Sequence, residues 1–428
     1  MEADGGGERR LAIGTYGSLS VLTIANLCPY WSWPPGAGGP ARVYNLNMEV
    51  SREVNVLQFS ARPTFGHQKT GLSNWIGSRH VRHSDSYCER QYFHPAILGA
   101  CYLLYKAGLP SDLCLSSFLK FLPGAGLKRM ISKASIVQVE HPWLFDLAEK
   151  LSREKPLIYI AHNVEADLWE KQAIGKLSSF QQLSNKLREM ENRAVGRADE
   201  VVAMSTCDAG ALVDRYGADC EKISVIPNGV DTNLRRPPTS VEKNAARERL
   251  KLGGRAVLLF IGSDHYPNKE ALKHIQKWQA QPANERHLLF LIVGTAGLGL
   301  QSTPNMRVAG FVPDISDYLL AADIALNPVS QGSGTSLKVV EYLACGLPTV
   351  STPVGIRGLN LRPGEDILVG DMKVFPQTIT TLVEDQRLRE KLSKNGRRVV
   401  EENYSWEKLG ESMLEIYQRV AHEAMPHR

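Results

Sequence analysis

The sequence predicts an α/β protein built as two facing, doubly wound domains with a cleft between them, and three observations lead there. The chain has 428 residues, beyond the size at which one hydrophobic core usually keeps growing. Short β-branched runs alternate with amphipathic stretches of helical length, the pattern of parallel sheets covered by helices. These runs fall into two sets, separated by a charged stretch of low strand propensity from about Asp231 to Gly253.

In the first set, strands are expected at Val21–Ala25, Val54–Phe59, Ile136–Val139, Leu157–Ala161, Glu200–Met204 and Ile223–Ile226. In the second they are expected at Ala256–Ile261, Leu288–Val293, Met306–Ala309, Asp323–Leu326, Pro348–Ser351 and Ile367–Val369. Residues 1–20 hold Gly-Gly-Gly and Arg-Arg, lack the long apolar core of a signal peptide and read as a flexible extension. The stretch from Trp75 to Lys133 fits the alternation least. Its apolar clusters carry Lys106, Lys120, Lys128, Arg129 and Lys133. Residues 96–133 are therefore either helices packed on the first sheet with solvated lysines, or a basic surface that rests on anionic lipid. The longest apolar run, Ala96 to Tyr105, is half the ~20 residues a membrane span needs.

Hydrophobic residues at 43% and charged residues at 22% are an ordinary globular balance. A net charge of +5 suits an anionic small substrate or an anionic membrane surface. With no block of Lys and Arg interleaved with aromatics, it argues against nucleic acid. The seven cysteines are scattered, odd in number and without a Cys-x-x-Cys pair. They read as reduced thiols of a cytoplasmic protein, soluble or peripheral on the inner face of a membrane.

Ligands of doubly wound sheets bind beyond the carboxyl ends of the strands, so the segments that follow the strands matter most. The most informative is Gly332-Ser333-Gly334-Thr335-Ser336-Leu337-Lys338-Val339-Val340-Glu341 through Gly346. Small residues and hydroxyls lead into a helix expected to begin near Thr335 and to stop at Gly346, before Pro348. A helix start offers unpaired N–H groups and partial positive charge to a phosphate, and glycine allows the anion to come close. Lys338, one turn in, adds a full charge, and Glu341 can accept from sugar hydroxyls. On spacing alone, the same segment is also a capped helix whose Glu341 faces water.

Continued through Leu347-Pro348-Thr349-Val350-Ser351-Thr352-Pro353-Val354-Gly355, the segment resembles the signature of the family 4 retaining glycosyltransferases, which adopt the GT-B fold of two Rossmann-like domains. The resemblance runs from about Val21 to Val420 and is thin between 60 and 135. It implies that Glu341, the second glutamate of the family's pair, binds the donor's ribose. Ser333 stands where the first glutamate would hold the transferred sugar, which leaves the donor sugar open. A Gly-Ser-Gly-Thr-x-x-Lys variant occurs in one branch of the family, and there the hydroxyls and the lysine take phosphate contacts.

Further segments resemble the same family. Trp33 to Val43, with Gly38 and Gly39, resembles the Gly-Gly loop that meets the donor diphosphate and the acceptor; taken alone, it is an ordinary tight loop. His162, in Tyr159-Ile160-Ala161-His162-Asn163-Val164-Glu165, matches a histidine that faces the donor sugar. It is expected to hydrogen-bond the sugar or its leaving oxygen, with Glu165 as a candidate to orient it. Gly262 to Ala271, including Asn268, resembles the first donor-domain loop, where Lys269 does not match the family's phosphate cations and Lys338 does better. Gly294, Gly310, Phe311, Val312 and Asp314 resemble the base-binding edge. Ala198 to Ser205 and Val225 to Asp231 resemble structural landmarks. The resemblance implies an acceptor-side domain over 21–232, a donor-binding domain over 233–404 and a terminal helix, 405–422, packed back on the first domain.

The implied reaction moves a sugar from a nucleoside-diphosphate sugar to an acceptor hydroxyl of a glycan, a lipid-linked molecule or a small molecule, with retention and without cofactor. The sequence has no Asp-x-Asp triplet and no His/Cys cluster at metal-ligand spacing, so no metal is expected. The alternatives are a catalytically silent sugar-nucleotide-binding homologue, a phosphorylase of the same fold and a dinucleotide oxidoreductase. The last lacks a Gly-x-Gly-x-x-Gly after its first strand.

Overall fold

The computed structural model describes residues 21–35, 38–61, 77–106, 115–121, 126–167, 170, 178–281, 287–331 and 334–424. The expected extension, residues 1–20, lies outside them. In the first half, strands form at β1 (Thr23–Cys28), β2 (Asn55–Ala61), β3 (Gly77–Arg82), β4 (Tyr87–Phe93), β5 (Ile136–Glu140), β6 (Leu157–Ala161), β7 (Glu200–Ala203) and β8 (Ile223–Val225). They make one eight-stranded sheet in the order β3-β4-β2-β1-β5-β6-β7-β8. The second half contributes β9 (Ala256–Ile261), β10 (Leu288–Val293), β11 (Met306–Gly310), β12 (Ile324–Asn327), β13 (Thr349–Ser351) and β14 (Leu368–Val369). They form a six-stranded sheet in the order β11-β10-β9-β12-β13-β14.

Both sheets are parallel at their centres, and their order reverses beside the first strand of each, between β1 and β5 and between β9 and β12. Central strands buried on both faces lose the alternation of a half-exposed strand. Thus β10 is Leu-Leu-Phe-Leu-Ile-Val with every residue buried, and the sequence shows it as a plain apolar run. The pair β3–β4 was not foreseen. It is antiparallel, and it extends the first sheet at its edge through β2. Its strands, Gly-Ser-Arg-His-Val-Arg and Tyr-Cys-Glu-Arg-Gln-Tyr-Phe, carry arginines, a glutamate and a glutamine instead of an apolar run. Pairing makes strands of them, β4 against β2 and β3 in turn against β4.

The terminal helix Trp406–Glu423 packs on helix Gly38–Val50 and on the first sheet, and it buries Trp406, Leu409, Met413, Ile416, Tyr417 and Val420. The chain crosses between the halves twice, near 226–232 and near 403–406, and the two crossings lie side by side. Val230 N–H donates to the Tyr404 carbonyl at 2.8 Å, and Trp406 N–H to the Val230 carbonyl at 3.2 Å. A Cβ on Gly229 would come within 2.6 Å of the Trp406 ring, so a glycine lets the crossings touch.

Candidate active site

The carboxyl ends of β9 and β12 open into a cavity of about 160 Å³, lined by His265, Asn268, Asn327, Gly334, Thr335, Ser336, Lys338, Gly355 and Arg357 among others. This is the switch point of the second sheet, where a doubly wound domain holds its ligand. Helix Leu337–Ala344 starts at the cavity wall, and no side chain caps its N-terminus. Among the described residues the Leu337 and Lys338 N–H groups are thus left for an anion, while Val339 N–H donates to the Ser336 carbonyl at 3.1 Å. The helix begins at Leu337 instead of near Thr335, because Gly334 takes a positive φ of 64° and Ser336 remains extended. Gly332 and Ser333 lie outside the described residues.

Lys338 reaches across the cavity. Its Nζ donates to Asn268 Oδ1 at 2.6 Å and stands 4.5 Å from the centre of the Phe260 ring. Burial pushes this amine down to about 7, as desolvation disfavours the charged form. Asn268 is steadied by its own amide, which donates to the Ser263 carbonyl at 3.0 Å. A Cβ on Gly262 would lie 3.1 Å from Asn268 and 2.9 Å from Phe260, so the glycine leaves room for both. Lys269 turns instead to Asp264, at 2.5 Å. Glu341, one turn beyond Lys338, faces Arg235 Nε at 3.7 Å with about a quarter of its side chain exposed (27%). Burial raises its carboxyl pKa, and Arg235 opposes the shift.

The first domain meets this helix start with another. Helix Gly38–Val50 begins against it: a Cβ on Gly38 would sit 2.7 Å from Leu337 Cδ1, and one on Gly39 would sit 2.8 Å from the Tyr30 hydroxyl oxygen. Two helix N-termini therefore converge, and both present positive partial charge to the gap. Side chains also join the domains: Asn228 Nδ2 donates to Thr335 Oγ1 at 2.8 Å, and Arg357 donates to Asp208 Oδ1 at 2.5 Å. Asp208 is almost wholly buried at 1%.

His162 follows β6 directly and lies opposite Gly334, where a Cβ would lie 3.1 Å from Asn163 Oδ1 and 3.6 Å from the His162 carbonyl. Its orientation corrects the expectation from sequence. Glu165 pairs with His141 Nδ1 at 2.8 Å, while His162 Nε2 lies 2.7 Å from Glu140 Oε2. Glu140 ends β5, the neighbour of β6, so strand pairing puts the two side by side; chain proximity had pointed to the wrong carboxylate. His141 stacks on His162 with ring centres 4.1 Å apart, and its backbone is held at φ 63°, ψ 162°. For a residue with a side chain that is a costly conformation, of the kind kept where position matters. Burial pushes His162 down to about 4, and it is neutral at physiological pH. The Glu140 carboxyl, despite its burial, is held below its ordinary value by His162, Gln138 and Arg42.

Other groups around the cleft were not singled out from the sequence. Arg42 is buried, donates to the Ile226 carbonyl at 2.7 Å and to the Pro227 carbonyl, and so ties helix Gly38–Val50 to the first crossing. Trp33, Tyr44, His83 and Tyr87 form an aromatic group above buried Glu89, which accepts from Ser32 N at 2.9 Å and Ser60 Oγ at 2.7 Å and pairs with His83. Its members come from β4, from the turn before it and, in Trp33 and Tyr44, from positions 54 and 43 residues before Tyr87, so no local pattern announces it. Among the described residues, no three His, Cys, Asp or Glu side chains gather as a metal site. Among the described residues, no helix is long and apolar enough to cross a membrane.

Two family models match the chain: "Glycosyltransferase Family 4" over residues 103–234 and "Glycosyl transferases group 1" over residues 255–385. The D-inositol 3-phosphate glycosyltransferase of Salinispora arenicola is 28% identical over 344 residues, covering 73% of this chain and 75% of that protein. The fold is similar to that of sucrose-phosphate synthase from Thermosynechococcus elongatus, with TM-score 0.69, 17% identity and coverage of 93% and 99% of the two chains. It is also similar to HepE from Anabaena, solved in complex with UDP-glucose, with TM-score 0.65, 17% identity and coverage of 93% and 100%.

Proposed function

Since the chain belongs to the family 4 glycosyltransferases, with the two-domain GT-B fold of that group, we propose that it is a retaining, metal-independent enzyme. In this reading it transfers a sugar from a nucleoside-diphosphate sugar to an acceptor hydroxyl. The observation that carries this is the meeting of two helix starts, the second of them without a side-chain cap, beside Lys338 at the switch point of the second sheet. The diphosphate lies against them. The main-chain N–H groups and Lys338 neutralise the charge that grows on the leaving group, work that other enzymes give to a divalent ion. Gly334, Thr335 and Ser336 offer close approach and hydroxyls to the same phosphates, Glu341 takes the ribose hydroxyls, and His162 takes the transferred sugar.

Retaining hydrolases use a close pair of carboxylates, whereas among the described residues the cavity lining around Lys338 contains no Asp or Glu. That favours attack on the face the leaving group departs from. The acceptor oxygen bonds to the anomeric carbon as the carbon–phosphate oxygen bond breaks, and the acceptor's proton passes to the leaving phosphate oxygen. The acceptors in this reading belong to glycan, polysaccharide or glycoconjugate synthesis, or are small molecules such as the inositol phosphate that the relatives' name gives. Helix Pro95–Lys106, with Tyr102 and Leu103 exposed beside Lys106, and Lys128, Arg129 and Lys133 on the helix Leu127–Lys133, suits contact with an anionic membrane surface.

Thermal stabilisation by UDP-, GDP-, ADP- and TDP-sugars tests the donor site, and stabilisation by none of them overturns it. The anomeric configuration of the product, read by NMR, tests retention. Turnover that is abolished by EDTA and restored by a divalent cation would remove the metal-independent step. Co-sedimentation with anionic but not neutral vesicles tests the membrane contact.

A further inference from the structure

Glu140 is buried (3% exposed), and both its oxygens are spoken for. Oε1 accepts from Asn26 Nδ2 at 3.0 Å and from Gln138 Nε2 at 2.8 Å; Oε2 faces His162 Nε2 at 2.7 Å. Gln138 is itself oriented, because its Oε1 accepts from the Tyr417 hydroxyl at 2.6 Å and its amide nitrogen must then turn to Glu140. Tyr417 comes from the terminal helix, 279 residues away. A buried chain thus runs from that helix through Gln138 and Glu140 to His162.

An ionised carboxylate only accepts hydrogen bonds. Opposite it, His162 must carry its proton on Nε2. A neutral imidazole has a single N–H, so Nδ1 then holds a lone pair. Among the described residues Nδ1 makes no hydrogen bond; the ring's other contacts are with His141 and Tyr30. We propose that Glu140 is a positioning residue that locks His162 in the Nε2–H tautomer, so that Nδ1 meets the donor as an acceptor. It therefore pairs with a sugar hydroxyl and not with an oxygen of the leaving phosphate, which could only accept in turn. This rests on the reading that His162 faces the donor sugar, and it excludes one of the two partners the sequence left open for that histidine.

Glu140→Gln separates this role from packing. Its oxygen goes to the two donors Asn26 and Gln138, which leaves its NH2 group facing His162 Nε2. The imidazole must then shift its proton to Nδ1. An equivalent exchange at a Ser-His-Asp triad leaves geometry intact and lowers kcat about 10⁴-fold through the wrong tautomer. With a neutral hydroxyl as partner, the expected loss here is smaller, about 10–100-fold in kcat/KM.

The test uses the full chain with [15N]histidine and, as donor, UDP-glucose or whichever of the UDP-, GDP-, ADP- and TDP-glucoses stabilises it most. In the wild type, 15N NMR should find the His162 proton on Nε2; a proton on Nδ1 overturns the proposal without need of any variant. In Glu140→Gln the proton should move to Nδ1, and affinity for the sugar nucleotide should fall about tenfold or more while affinity for the sugar-free nucleoside diphosphate stays within twofold. An unmoved proton, or a moved proton with unchanged kcat/KM, refutes the lock. If His162→Ala leaves sugar-nucleotide affinity intact, the reading of the donor site has failed instead, and the tautomer measurement tells the two failures apart.

Discussion

Replacing Lys338 with methionine removes a charge while keeping a stem of similar length over Phe260. In the free protein the amine sits 2.6 Å from Asn268 Oδ1 and is held down to about 7 by burial. Protonating it fully at pH 7 costs only about RT ln 2, roughly 0.4 kcal/mol. A diphosphate within about 4 Å gains about 4 kcal/mol from one unit charge at an effective dielectric of 20, part of which replaces hydration. A charge-assisted hydrogen bond is worth about 1.5–3 kcal/mol net. Lys338→Met should therefore weaken nucleoside-diphosphate binding by about 10–150-fold. Because the lysine has no carboxylate partner to strand, thermal stability without ligand should change little. Titration calorimetry reads the affinity, and a melting curve checks the fold. A variant that melts like the wild type and binds within threefold of it would show that the diphosphate lies elsewhere.

The same lysine predicts a pH effect. Free, it titrates at about 7; bound to a dianion its pKa rises, so binding takes up a proton and affinity falls as pH climbs above 7. Calorimetry in buffers of different ionisation enthalpy at pH 7.5 should find that uptake in the wild type and lose it in Lys338→Met. Glu341→Ala should reduce the preference for a ribonucleoside over a 2′-deoxyribonucleoside diphosphate by roughly 10-fold, the worth of one hydrogen bond to a charged group; an unchanged preference would take Glu341 away from the ribose. Arg357→Ala leaves the buried carboxylate of Asp208 without its cation, a loss of about 3 kcal/mol for a buried pair. It should favour a more open arrangement, seen as a larger radius of gyration in X-ray scattering. Ending the chain after Tyr404 removes six buried side chains of the terminal helix, roughly 9–18 kcal/mol of apolar burial. That matches the whole stability of a typical domain, so the truncated chain should be insoluble, and a soluble, cooperatively melting product would contradict the packing described here.

The legible parts of this molecule were those governed by neighbours in sequence. Leu288–Val293 declares a buried strand because six apolar residues in a row suit no other short element, and Gly334 to Ser336 declares a helix start because glycine and hydroxyls ahead of an amphipathic run are local signals. The antiparallel pair Gly77–Arg82 and Tyr87–Phe93 was illegible for the converse reason: its polar residues become strands only by pairing, the second against β2 and the first against the second.

The sequence alone determined two wound sheets, and it singled out Lys338 and Glu341 on one helix start and His162 after a strand of the other half as candidate site residues. Tertiary structure decided what each of them faces. It matched His162 with Glu140 across neighbouring strands instead of with Glu165 three residues on, turned Lys338 toward Asn268 seventy residues back, and brought Gly38 against Leu337. Hydrogen-bond partners and desolvation depend on distance in space, and a periodic pattern along the chain carries information only about the faces of one element at a time.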